Sequence, residues 1–83
     1  MKLLYFAWVR TQIGKSHEEI AKPEGVETVG DLIAHLAGRG AGYASAFARP
    51  QTIRAAINQD YVQHDHVLAA TDEVALFPPV TGG

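Results

Sequence analysis

Hydrophobic and polar positions alternate at the start of this 83-residue chain. Leu3, Tyr5, Ala7 and Val9 fall on one side, and Lys2, Leu4, Phe6 and Trp8 on the other. This period of two predicts a strand over residues 2–9. Tyr, Phe, Trp and Val suit a pleated surface. Lys2 marks the side that meets solvent where the strand begins, although both sides turn apolar further on. Arg10 to Gly14 reads as a turn or a single helical turn, with Gly14 as its stop. His17 to Ala21 predicts a second strand, paired with the first as a hairpin and closed by Pro23-Glu24-Gly25.

The period then changes. Val29, Leu32, Ile33 and Leu36 recur at i, i+3, i+4 and i+7, an apolar stripe that predicts a helix over residues 28–36. Thr28 is a good N-cap, Asp31 completes a capping-box-like pair, and Gly38 and Gly40 end the element. Ala41 to Arg49 is rich in small residues and reads as a short helix stopped by Pro50. Strand periodicity returns over 53–58, where Ile53, Ala55 and Ile57 share a face. Asn58-Gln59-Asp60 is a turn, Tyr61-Val62 a short return, and Val67-Leu68 another short extended piece. After a turn at Thr71-Asp72-Glu73, Val74 to Phe77 is the last strand, stopped by Pro78-Pro79.

Both ends of the chain therefore carry strongly apolar strands. Pairing them in the middle of one sheet, with one main helix laid across a face, gives an α+β fold of the β-grasp type. The crossover through the helix makes the first and last strands parallel, with right-handed sense. Residues 1–78 form the domain and 79–83 an extended, flexible tail.

Composition narrows what such a domain can do. A chain this short builds one core and little room for a deep cleft. With no cysteine there is no disulfide, thiolate metal site or cysteine nucleophile. A net charge of -2 argues against a nucleic-acid partner. The apolar run at residues 3–9 is too short for a signal peptide or a membrane span, so a cytoplasmic protein without membrane contact is expected.

No catalytic set emerges within the chain. His64 and His66 would face one side of a strand, with Asp65 nearby, but two nitrogens do not close a zinc site, and turn histidines with local hydrogen bonds account for them better. His35 belongs beside the helical stripe. Ser16 and Ser45 sit in no nucleophile elbow. Asp72 and Glu73 look like turn carboxylates. Gly38-Arg39-Gly40 follows a helix rather than a strand, which makes it a C-cap and not a phosphate loop. No bound metal or resident cofactor is expected.

The unusual feature is the end, Phe77-Pro78-Pro79-Val80-Thr81-Gly82-Gly83. Gly-Gly at a terminus arises by chance at roughly 0.5%. Pro78-Pro79 favours a stiff extended backbone, and five residues reach up to about 17 Å. Gly82 and Gly83 have no side chains, so a narrow channel in another protein admits them. The arm ends in an ionised carboxylate, which can attack the α-phosphate of ATP held by a partner enzyme. The acyl-adenylate formed then accepts a nucleophile.

These residues carry a resemblance. Phe6-Ala7-x-Val9-Arg10, Asn58-Gln59, Asp65-His66 and above all the run from Asp72 to Gly83 are similar to the small-subunit family of molybdopterin synthase, the ubiquitin-like sulfur carriers. The resemblance spans the whole chain, and Gly38 to Thr52 departs most from it. It implies a ubiquitin-like β-grasp. It also implies that an adenylating enzyme similar to ubiquitin-activating enzymes activates Gly83 with ATP, and that a sulfur donor enzyme converts Gly83 to a thiocarboxylate. Val80, Thr81 and Gly82, with Pro79, thread the tail into the large subunit. Sulfur is donated there to cyclic pyranopterin monophosphate in molybdenum cofactor biosynthesis. The large subunit brings the catalytic side chains, in a heterotetramer with two copies of each subunit, so this chain alone is not an enzyme.

The strand faces add a docking surface. If the helix covers the Leu3-Tyr5 side, Phe6 is left exposed together with Leu4 and Trp8, an apolar patch of the kind that marks a partner site. Phe77 and Tyr61 would border it, and Arg10 would supply a charged rim. The plain alternative makes Phe6 and Phe77 core aromatics. Other uses of the same tail stay open: sulfur carriage for thiamine synthesis, isopeptide modification of lysines, or a binding module without tail chemistry.

Overall fold

The computed structural model describes residues 1–79. Its elements run β1 (Lys2–Tyr5), α1 (Ala7–Ile13), β2 (His17–Glu19), α2 (Val29–Ala37), α3 (Ala41–Ala46), a 3-10 turn (Pro50–Thr52), β3 (Arg54–Ile57), β4 (Asp60–Val62) and β5 (Glu73–Phe77). The five strands form one mixed sheet in the order β2-β1-β5-β3-β4. β5 lies at its centre, parallel to β1 and antiparallel to β3. The pairing of the two end strands expected from the sequence is thus present, as is the antiparallel β1–β2 pair.

The first strand is shorter than its alternation predicts. It stops at Tyr5, and Ala7, Trp8 and Val9 belong to α1. The backbone accounts for this. Phe6 donates its N–H to Leu76 O, the last rung of the ladder with β5. Beyond Phe77 the next residue of β5's course is Pro78, which has no N–H to give. Ala7 then takes a left-handed φ of 53°, which turns the chain out of the sheet and into the helix. Val9 is buried as expected, but on the inner side of a helix, with Ile13 one turn later half-buried. Gly14 ends α1 at φ 90°, the stop read from the sequence.

α2 follows its pattern. Thr28 accepts from the Asp31 N–H, and the Asp31 carboxylate accepts from the Thr28 N–H, a complete capping box. Val29, Leu32, Ile33 and Leu36 are buried against the sheet face that carries Leu3, Tyr5, Val74, Leu76, Ala55 and Ile57. α3 accounts for the small residues of 41–46. A Cβ on Gly42 would come within 2.5 Å of Gln12 O in α1, so only glycine allows this approach of the two helices. Phe47, just past α3, is buried in the core.

One polar knot ties the edge of the sheet to the helices. Glu18, in the middle of β2, accepts from Tyr5 Oη at 2.6 Å and Tyr43 Oη at 2.7 Å. Arg39 Nη1 lies 3.3 Å and Lys15 Nζ 3.6 Å from its other oxygen. Burial alone would raise the Glu18 carboxyl. The two hydroxyl donors and the two cations outweigh that and hold it below the ordinary glutamate value. Burial, and then the carboxylate beside it, push the Tyr5 hydroxyl well above the ordinary tyrosine value. No helix among the described residues is long and apolar enough to cross a membrane.

Two outcomes follow for stability. Gly42→Ala should cost about 1–3 kcal/mol in thermal unfolding. Gly30→Ala, whose Cβ would meet nothing closer than 3.5 Å, should be neutral or stabilising by up to about 1 kcal/mol. Glu18, with its depressed value, contributes stability that is present above about pH 4.5 and lost as the pH falls. Tyr5, with its raised value, contributes stability that is present below about pH 10 and lost above it. Melting temperature should therefore be level between these limits and fall outside them. Glu18→Gln should cost about 1–2 kcal/mol at neutral pH and flatten the acid limb. Part of that limb should remain, because backbone donors from Glu27 and Thr28 also lower the Asp31 value.

Candidate functional site

The sheet has two unlike faces. One lies under the helices. The other carries a row of Cα partners, Leu4 with Ala75, Ala75 with Ala56, and Ala56 with Tyr61, across β1, β5, β3 and β4. Small residues at the two central positions keep this face shallow, and Tyr61 stands out of it, 80% exposed. Phe77, at the end of β5, is the partner of Arg54 and stacks obliquely on Tyr61, with ring centroids 5.7 Å apart. Phe6 continues the alternation of β1 in an extended conformation, φ -128° and ψ 156°, on the side of Leu4. Tyr5 pairs with Leu76, so Phe6 comes level with Phe77. It is 47% exposed.

The structure therefore assembles the expected patch. Phe6, Tyr61 and Phe77 lie around the outgoing end of β5, and neither Phe6 nor Phe77 is a core aromatic. Leu4 is half-buried in the same face. Trp8 is 38% exposed, but it sits on α1 and lines a separate groove with Arg49, Thr52 and Pro79. A second groove, on the other side of Pro79, is lined by Arg54, Tyr61, His64 and Phe77 among others. Arg10 is exposed one helical turn after Phe6 and accepts no role in the core. Pro78 is half-buried and Pro79 exposed, at the junction of the two grooves. Val80, Thr81, Gly82 and Gly83 lie outside the described residues.

The remaining candidates are placed as structural groups. His64 and Asp65 sit in a turn rather than on a strand, and His64 Nε2 lies 2.7 Å from Ile53 O. Among the described residues, no group of three or more His, Asp or Glu side chains is arranged to hold a metal ion. Ser16 Oγ is 3.0 Å from His17 Nδ1, an exposed contact between chain neighbours. Asp72 accepts from the Ala69 N–H and the Asn58 side chain, and Asn58 accepts from the Glu73 N–H. This lashes the β3–β4 hairpin to the start of β5. Asn58 and Gln59 both take positive φ, 51° and 76°, in the two-residue turn that sets the hairpin register.

Sequence patterning missed Arg49 and Arg54. Nothing in their spacing distinguishes them from other solvated arginines. Only the fold brings both to Pro79.

Comparison with known proteins agrees with this geometry. The family model described as the ThiS family matches residues 3–83. The chain is 42% identical to a molybdopterin synthase sulfur carrier subunit of Escherichia coli (strain K12), over all of this chain and 99% of that protein. A protein of the same name from Haemophilus influenzae is 34% identical over the same shares. Among solved structures, small archaeal modifier protein 1 of Haloferax volcanii superposes with a TM-score of 0.73 at 27% identity, covering 96% of this chain and 97% of that one.

The corner at Ala7 gives a test of how the patch is held. A left-handed alanine costs about 1 kcal/mol, which the ladder to Leu76 and the turns of α1 outweigh. Ala7→Gly should raise stability by about 0.5–1 kcal/mol in denaturant unfolding. A loss of stability would mean that the corner is not strained.

Proposed function

The chain belongs to the ThiS family, and from that premise we propose that it is the sulfur carrier subunit of a molybdopterin synthase. The observation that carries this reading is the position of β5. It is locked between β1 and β3, and it releases the chain beside an uncovered apolar face bordered by Phe6, Tyr61 and Phe77. The body docks by that face, and the tail enters the partner.

In the first step, the Gly83 carboxylate attacks the α-phosphate of ATP on a ubiquitin-activating-like adenylyltransferase and pyrophosphate leaves. Sulfur from a donor enzyme then displaces AMP, giving the thiocarboxylate. In the large subunit, with Pro79, Val80, Thr81 and Gly82 threading the channel, the sulfur passes to cyclic pyranopterin monophosphate. Oxygen from water restores the carboxylate. The large subunit supplies the catalytic side chains, and two copies of each subunit make the heterotetramer. ATP is consumed by the partner, and this chain keeps no cofactor of its own. The ATP-dependent step places the cycle in the cytoplasm.

A second reading has one specific support, the likeness to small archaeal modifier protein 1. In it, the activated Gly83 is joined to a lysine amine of another protein, and conjugates of raised mass appear on a denaturing gel.

Deletion of Gly83 should abolish molybdopterin formation with the large subunit, and full activity without it would refute the mechanism. In the same assay, Phe77→Ala should weaken binding of the large subunit about tenfold or more while lowering the melting temperature by only a few degrees. Unchanged affinity would remove Phe77 from the interface.

A further inference from the structure

Charge is unevenly spread over this molecule. Of its 7 lysines and arginines, Lys2, Lys15 and Arg39 stand within 4.0 Å of a carboxylate. Arg10, Arg49 and Arg54 are exposed and form no ion pair among the described residues. All three lie at the end of the sheet from which the tail departs. Arg54 is the Cα partner of Phe77. Arg49 lines the groove with Trp8, and Arg54 the groove with Tyr61. Pro79 is the residue shared by both grooves, and neither is lined by an aspartate or glutamate among the described residues. Arg10 follows Phe6 by one turn of α1.

The carboxylates of the strands gather at the opposite end. Glu73 begins β5 beside Asp72, and Asp60 is the partner of Ile57 at the far end of β3. The chain as a whole is negative, at -2. A cationic end on a negative body orients the molecule in the field of a charged partner.

We propose that Arg49 and Arg54, with Arg10, form a basic collar at the root of the tail that docks on a ring of aspartates and glutamates around the partner's tail-receiving pocket. The proposal rests on the carrier reading above. Any protein that takes Gly83 into its interior must bring the rim of its pocket against the residues around Pro79. A carboxylate rim is the chemistry that complements exposed guanidinium groups there, by paired hydrogen bonds and by charge. The acidic opposite end is repelled by the same rim, so encounters in the wrong orientation are suppressed. The main consequence is in the rate of association and not in the depth of the bound state.

The test measures association of the full chain with the large subunit by stopped flow, at about 50 mM and about 500 mM salt. The wild-type rate should fall steeply with salt. Arg49→Glu/Arg54→Glu should associate about tenfold or more slowly at low salt, and its rate should converge with wild type at high salt. Arg49→Gln/Arg54→Gln should lie between. Lys22→Glu, a charge reversal before α2 and away from the collar, should stay within about twofold of wild type. Because Arg54 also donates to Gln51 O at 3.2 Å, melting temperatures of the variants are compared, and the glutamine pair preserves a test if the glutamate pair is misfolded. A salt-independent wild-type rate, or collar variants as fast as wild type, overturns the collar and leaves the carrier reading standing. Wild type that does not bind the large subunit overturns both. Loss of binding to a DNA or RNA oligonucleotide with unchanged association to the large subunit would assign the arginines to nucleic acid and also overturn the proposal.

Discussion

The structure depends on the parallel ladder between β1 and β5. It joins residues about seventy positions apart, and everything else is arranged around it. Lys2, Leu3, Leu4 and Tyr5 meet Glu73, Val74, Ala75 and Leu76 in register. The ladder sends Leu3, Tyr5, Val74 and Leu76 under the helices, where all four are essentially inaccessible. A shift of one residue would put Leu4 and Ala75 in the core and expose these four, so the buried face enforces the register. The same register fixes the uncovered face, and it decides where the chain emerges after Phe77.

That geometry divides labour between body and tail. The body contributes no catalytic set among its described residues. What it offers is a rigid exit: β5 is held on both sides, so the point from which Pro78 and Pro79 depart is set by two ladders. A mobile exit would spread the end of the tail over many positions and raise the entropic cost of entering a partner. The Glu18 knot serves the same end from the other side of the sheet, because it ties β2 to the loop after α2 and to α3 through two tyrosines and two cations. Its hydrogen bonds are all made, which keeps a carboxylate near the core from being a liability.

Much of this was legible from the sequence, for identifiable physical reasons. α2 was read correctly because the Thr28–Asp31 box and the stripe at 29, 32, 33 and 36 are both local signals. The β-grasp order was read because apolar strands at both ends of a short chain leave few ways to close one core. The β1–α1 boundary was misread because Phe6-Ala7-Trp8-Val9 has strand-forming residues and carries no helix start signal. Its helix begins at a left-handed alanine, a choice made by the end of the β5 ladder, which is far away in sequence. The candidate patch was anticipated for Phe6, Tyr61 and Phe77 through alternation and resemblance. The row Leu4, Ala75, Ala56, Tyr61 was not, since it exists only once four strands are in register. Arg49 and Arg54 escaped for the same reason.

The central place of β5 has a consequence for biosynthesis. A chain made from its N-terminus forms β1, β2 and the helices well before the strand that fills the gap between β1 and β3 exists. Until then Leu3, Tyr5, Ala55 and Ile57 have no neighbour in the middle of the sheet, and the core stays open. Chains cut short before residues 73–77 cannot close it. They are left with unpaired strand edges, the form that chaperones and proteases remove. The reactive end is thus carried only by molecules whose fold is already complete, and the last strand acts as an inspection step for the arm that follows it.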